Sequence, residues 1–99
     1  MINLNEVKSL LKDHFDHHFT FEIAEGGASK GKLVKDGAFK MTGDRLAIFD
    51  EDVKETVYLN CYAPVDSGSV CYDIHELYAR MSYLSYKIDK RNSHENSLL

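Results

Sequence analysis

Residues 46–62 read Leu-Ala-Ile-Phe-Asp-Glu-Asp-Val-Lys-Glu-Thr-Val-Tyr-Leu-Asn-Cys-Tyr, and the fold is decided here. The first four side chains form an apolar strand. From Thr56 to Tyr62 residue character alternates, the two-residue period of a strand with one buried face. Val57, Leu59 and Cys61 make one set, while Tyr58 and Tyr62 flank Asn60 in the other. The aliphatic set is expected in the core, and the tyrosines on the open side of a sheet, packed across strands. Between the two strands lies an acidic corner, Asp50-Glu51-Asp52, with Glu55 close behind.

Outward from this stretch the strand signals continue. Thr42-Gly43-Asp44 reads as a turn, preceded by a strand through Phe39 and Met41. Asp36-Gly37 is the strongest short hairpin signal in the chain, with Lys32-Leu33-Val34 as its other arm. Phe19, Phe21 and Ile23 alternate with Thr20, Glu22 and Ala24 until Gly26-Gly27 breaks the period. Pro64 to Ser69 turns the chain into a short strand near Val70 to Tyr72. The sum is an antiparallel meander of about five or six strands.

Helices flank it. Asn3 and Glu6 have capping-box spacing, and Leu4, Val7, Leu10, Leu11 and Phe15 follow on one face, predicting a helix over 4–17. Asp73 and Glu76 repeat that spacing ahead of Ile74, Leu77, Met81, Leu84 and Ile88, predicting a second helix over 74–90. The fold class is α+β: an N-terminal helix, the meander, and a C-terminal helix packed on the sheet. Residues 1–90 are expected to form a single domain and 91–99 a flexible C-terminal tail.

Composition narrows the function classes. The chain has 99 residues and 16 acids against 12 bases, a formal charge of −4, enough for one core and too short for two. Mild acidity argues against a general nucleic-acid binder, which needs a basic face. No apolar run reaches the ~20 residues of a membrane span. Glu6, Lys8 and Lys12 stand where a signal peptide needs an apolar segment, so a cytoplasmic location is expected. There Cys61 and Cys71 are expected to remain free thiols.

The second helix carries an unusual surface. Opposite its core stripe lie Ala79, Tyr83 and Tyr86, bordered by His75 and Ser82, while Glu76, Arg80 and Lys87 are confined to a narrow band. A helix with one buried face ordinarily carries charge on the other. Burial of this side within the chain, a homodimer contact and a contact with a different protein all fit the pattern. Tyrosine suits the last two because a large ring keeps a polar tip.

Other motifs have plainer readings. Gly26 to Lys32 reads G-G-A-S-K-G-K, seven positions of a phosphate-binding loop, but Leu33 replaces the hydroxyl that would hold magnesium and a hairpin follows instead of a helix. His14 and His18 have i, i+4 spacing. As neighbours of Leu11 and Phe15 they are expected to be partly buried core residues. With Cys71 and His75, and Cys61 across the hairpin, they form the alternative of a metal- or small-ligand-binding cluster. A third reading is weak nucleic-acid binding through Lys30, Lys32, Lys35 and Lys40. A Cys–His nucleophile has little support, and no cofactor is expected.

The leading expectation is a non-catalytic regulator or inhibitor that binds another protein or a protein–nucleic acid complex. Its contact would use Tyr83, Tyr86, Ala79, Ser82 and His75 with the acidic corner Asp50, Glu51, Asp52 and Glu55. Small acidic domains of this size are expected among inhibitors encoded by phages and mobile elements, and on that expectation the chain would act against a host nucleic-acid-processing or defence complex by occluding a basic surface.

Overall fold

A computed structural model describes residues 1–26, 39–65 and 69–97. In chain order the elements are helix α1 (Leu4–His14), strands β1 (Phe19–Ala24), β2 (Phe39–Asp50) and β3 (Glu55–Pro64), and helix α2 (Ile74–Ser97). The α+β class and the helix–sheet–helix order are as the sequence predicts.

The described sheet has three antiparallel strands in the order β1-β2-β3, fewer than the expected five or six. Three causes account for the difference. Thr42-Gly43-Asp44 is a bulge inside β2 and not a turn between strands: the register with β3 shifts between Met41 and Arg45. Gly43 takes φ 89°, a left-handed conformation that glycine adopts without strain. Thr42 Oγ1 holds the bulge, donating to the Cys61 carbonyl at 3.2 Å and accepting from the Asp44 N–H at 3.2 Å. Next, Cys71 and Tyr72 make only isolated bridges, to Tyr62 and Ile2. Lastly, the Lys32–Val34 strand and the Asp36-Gly37 turn lie outside the described residues, as does the G-G-A-S-K-G-K loop beyond Gly26.

One core lies between the sheet and both helices. Leu46 and Ile48 of β2 pair with Leu59 and Val57 of β3, so all four point to the same side. They pack with Val7, Leu11 and Phe15 from the first helix region and with Leu77, Met81 and Leu84 of α2. Both helices therefore cover the same face of the sheet. Val57, Leu59 and Cys61 are buried as expected. Tyr58 is exposed on the opposite face, and Tyr62 is half-buried.

The helix termini show how tertiary contacts overrule periodicity. Asn3 caps α1, its Oδ1 accepting from the Glu6 N–H at 2.9 Å, and Asp73 does the same for α2 through the N–H groups of His75 and Glu76. α1 stops at His14, three residues before the expected end. Phe15 adopts φ −126°, ψ 139°, an extended conformation that turns its ring into the core and sends His17 and His18 towards the corner after β2. α2 begins where expected and runs to Ser97, through most of the segment read as a tail.

Tyr72 anchors the link between N-terminus and sheet. Its N–H donates to the Ile2 carbonyl at 2.7 Å and its carbonyl accepts from the Ile2 N–H at 2.9 Å. Burial pushes its phenol from the ordinary 10.0 up to about 12. The folded protein thus holds this proton more tightly than the unfolded chain, so its contribution is complete below pH 10 and lost as pH rises towards 12. Urea midpoints should fall across that window in the wild type and fall less in Tyr72→Phe. Equal slopes would show that another group governs alkaline unfolding.

Candidate functional site

The band Glu76, Arg80, Tyr83 and Lys87 runs along α2 at steps of four, three and four residues, one side of a helix. It follows the outer edge of β3. Glu76 Oε1 accepts from the Asn60 N–H at 2.9 Å, and Arg80 Nε donates to the Tyr58 carbonyl at 3.0 Å. Further along, Tyr83 Oη donates to Glu55 at 3.4 Å and Lys87 Nζ lies 3.5 Å from the same carboxylate. The charges confined to a narrow band in the sequence are therefore edge ligands. Glu76 and Arg80 occupy main-chain groups that an open strand edge would offer to another chain, and Lys87 pairs with a side chain of the same strand.

With that band assigned, the outward side of α2 is what remains. His75, Tyr78, Ala79, Ser82 and Tyr86 are all exposed, so burial within the chain does not explain this face. Tyr78 is 49% exposed and Tyr86 57%, against 41% for Tyr83, whose hydroxyl is engaged. Tyr78 lies about 40° from Ile74 on the helical wheel. Sequence reasoning passed over it because it borders the core stripe, although its ring points to solvent. The ammonium of Lys90 sits 6.0 Å from the Tyr86 ring centroid, at the C-terminal border of this face.

The acidic corner differs from the open contact surface expected. Asp50 has no exposed surface. Its Oδ1 accepts from the N–H groups of Asp52 at 2.9 Å and Val53 at 3.3 Å, and its Oδ2 meets His17 Nδ1 at 2.7 Å. Lys54 closes the turn with φ 61°, its N–H donating to the Asp50 carbonyl at 2.8 Å. Asp50 is a turn organiser, buried beyond the reach of a partner protein's surface. Asp52 Oδ2 accepts from the His18 N–H at 2.8 Å. That bond, ahead of the nearby His17 and His18 rings, holds its carboxyl below the ordinary 3.8. Glu55 is committed to Tyr83 and Lys87, leaving Glu51 as the corner's exposed acid without such a tie.

Taken with family models, curated proteins and solved structures, the chain matches none. Its site must be read from its own residues.

The expected histidine–cysteine cluster does not assemble among the described residues. His14 and His75 are exposed, and Cys71 Sγ donates to the Tyr62 carbonyl at 3.3 Å. The core position expected for His14 and His18 is a correction too: both are exposed because α1 ends before its apolar stripe reaches His18. Burial pushes both thiols up, Cys61 and Cys71 alike, the reverse of what a nucleophilic thiolate needs. Of the lysines in the nucleic-acid reading, Lys40 is exposed on β2 and Lys30, Lys32 and Lys35 lie outside the described residues. No described helix is long and apolar enough to cross a membrane.

Two concave surfaces border the site. Arg45, Tyr58, Asn60, Glu76, Arg80 and Tyr83 line a cleft of about 380 Å³ between the sheet edge and α2, with the Arg45 guanidinium 4.6 Å from the Tyr58 ring centroid. At the other end of α2, His17, Asp52, Val53, Ile88, Arg91 and Asn92 line a cleft of about 310 Å³.

Proposed function

We propose that this chain is a non-catalytic binding protein, a regulator or inhibitor, which engages another protein through the outward face of α2. The observation that carries the reading is the exposure of Tyr78, Ala79, Ser82 and Tyr86 on a stretch of helix whose charged residues are turned to the edge of β3. Two large rings separated by small residues can enter a partner's hollow with little rotamer entropy to lose, since each ring has only two χ angles. A charged outer face, the usual finish of a surface helix, would resist that desolvation.

The corner takes a smaller part than its composition suggests. Asp50 is buried and Glu55 is tied to Lys87, so occlusion of a basic surface would draw on Glu51 and the outer side of Asp52. Apolar and aromatic contact carries the affinity, and charge assists encounter.

The test is Tyr78→Glu combined with Tyr86→Glu. The double variant should keep the wild-type melting temperature to within a few degrees, because both rings are half or more exposed or close to it. Light scattering on a sizing column should find a monomer for both proteins. Pull-downs from the native host, quantified by mass spectrometry, should enrich a protein with the wild type and lose it with the double variant. Identical captured sets, or a wild-type dimer broken by the substitutions, would overturn the reading; the second result would assign the face to self-association.

A further inference from the structure

Beyond that binding face, we propose that His17, Asp50 and Asp52, with His18 as a fourth donor, form a site for a divalent metal ion of the zinc type. Two segments remote in sequence bring these residues together: the link after α1 supplies two consecutive imidazoles, and the end of β2 with the turn that follows it supplies two carboxylates. His17 Nδ1, Asp50 Oδ2 and Asp52 Oδ2 all lie within 4.8 Å of one another. The pair distances are 2.7 Å for His17 to Asp50, 4.0 Å for His17 to Asp52, and 3.5 Å for His18 Nδ1 to Asp52 Oδ2. A tetrahedral zinc ion with bonds of about 2.0–2.1 Å holds its ligand atoms about 3.3 Å apart. The observed separations straddle that edge length, so modest side-chain rotations suffice.

Donor chemistry selects the class of ion. Imidazole nitrogen with carboxylate oxygen suits zinc and its transition-metal neighbours, whereas magnesium and calcium prefer oxygen alone. Two carboxylates and two neutral imidazoles balance a dication. The site is also more than an exposed acidic cluster, since Asp50 is fully buried and the His17 side chain is only 19% exposed. Asp50 divides its work: Oδ1 takes both amide bonds of the turn, while Oδ2 meets His17 alone. The turn can therefore stay bonded when Oδ2 turns to a metal. A buried carboxylate also needs a positive partner, and among the described residues its sole ion-pair partner is His17, a cation only when protonated. The neighbouring arginine, Arg91, is held on the Asp52 carbonyl. His18 joins from the solvent side, 83% exposed, with its Nδ1 3.5 Å from Asp52 Oδ2.

The experiment uses the full chain, purified without a histidine tag and stripped with EDTA. Zinc is titrated in competition with a chromophoric chelator near neutral pH, and Co²⁺ is added separately as a visible-absorption probe. One equivalent per chain is expected, with the intense visible bands of a tetrahedral cobalt site. His17→Gln and Asp52→Asn should each weaken zinc at least tenfold, His18→Gln should weaken it less, and His14→Gln should leave it unchanged. His18→Gln alters an exposed ring, so its effect is readable even if a corner variant fails to fold. Binding well below one equivalent in the wild type, or equal binding by the wild type, His17→Gln and His18→Gln, would overturn the site.

Discussion

Asp50→Ala is expected to lower folding stability by about 3 kcal/mol, the largest effect of any polar substitution in the described residues. The buried carboxylate accepts from two turn amides and pairs with His17, all within 3.3 Å. Alanine leaves the Asp52 and Val53 N–H groups without an acceptor, each costing about 1–3 kcal/mol when water cannot reach it. His17 loses its partner as well, but it lies at a cleft and water can reach it. For a domain of this size the melting temperature should fall on the order of 15 °C. Asp50→Asn keeps an acceptor for the amides and should cost about half as much. The readout is urea and thermal unfolding by circular dichroism, and a loss below about 1 kcal/mol for alanine would mean that the corner does not hold the hairpin.

Leu84→Ala should cost a similar amount for a different reason. Leu84 is fully buried among the residues joining α2 to the sheet, so truncation removes packed methyl groups and leaves a cavity. Leucine-to-alanine changes in such positions cost about 2–5 kcal/mol. Tyr86→Ala, two residues further along the same helix, should stay within about 0.5 kcal/mol because its ring is largely exposed. The contrast separates the two sides of one helix. Comparable losses in both would mean that the outward face is packed in solution, which would remove the basis for a free docking surface.

What could be read in the sequence, and what could not, follows from the range of the interactions involved. The core stripe of α2 and the inward set of β3 were legible because each repeats its period several times, as Leu77, Met81 and Leu84 do against Val57, Leu59 and Cys61. Both capping aspartate and asparagine were legible, since a cap is a contact within four residues. The end of α1 was not. His14 to His18 continue the helical spacing, and only the distant Asp50 and the core seat of Phe15 determine that the chain leaves the helix. The bulge at Gly43 looked like a turn because the same residue types serve both, and only the shared partner strand tells them apart.

For the candidate sites the same rule holds. The uncharged side of α2 was visible from composition on a wheel, but its exposure was not, nor was the reason that Glu76, Arg80 and Lys87 crowd together. His17 was overlooked in favour of His14 and His18, whose spacing is conspicuous, since its partners lie 33 and 35 residues away. The turn after Asp50 was legible as a corner, but its left-handed position was not, because Lys54 takes φ 61° where a glycine or asparagine would have announced it.

The seal that α2 places along β3 has a consequence for synthesis. A chain leaving the ribosome presents all three described strands before any residue of α2 has emerged, so Asn60 and Tyr58 offer free main-chain groups until α2 is made. Products truncated near Tyr72 would keep the strands and lack the residues that close them, together with Leu77, Met81 and Leu84 that cover the core. Such fragments would pair edge to edge and precipitate. Productive folding thus waits on α2, the element that closes the edge the strands leave open.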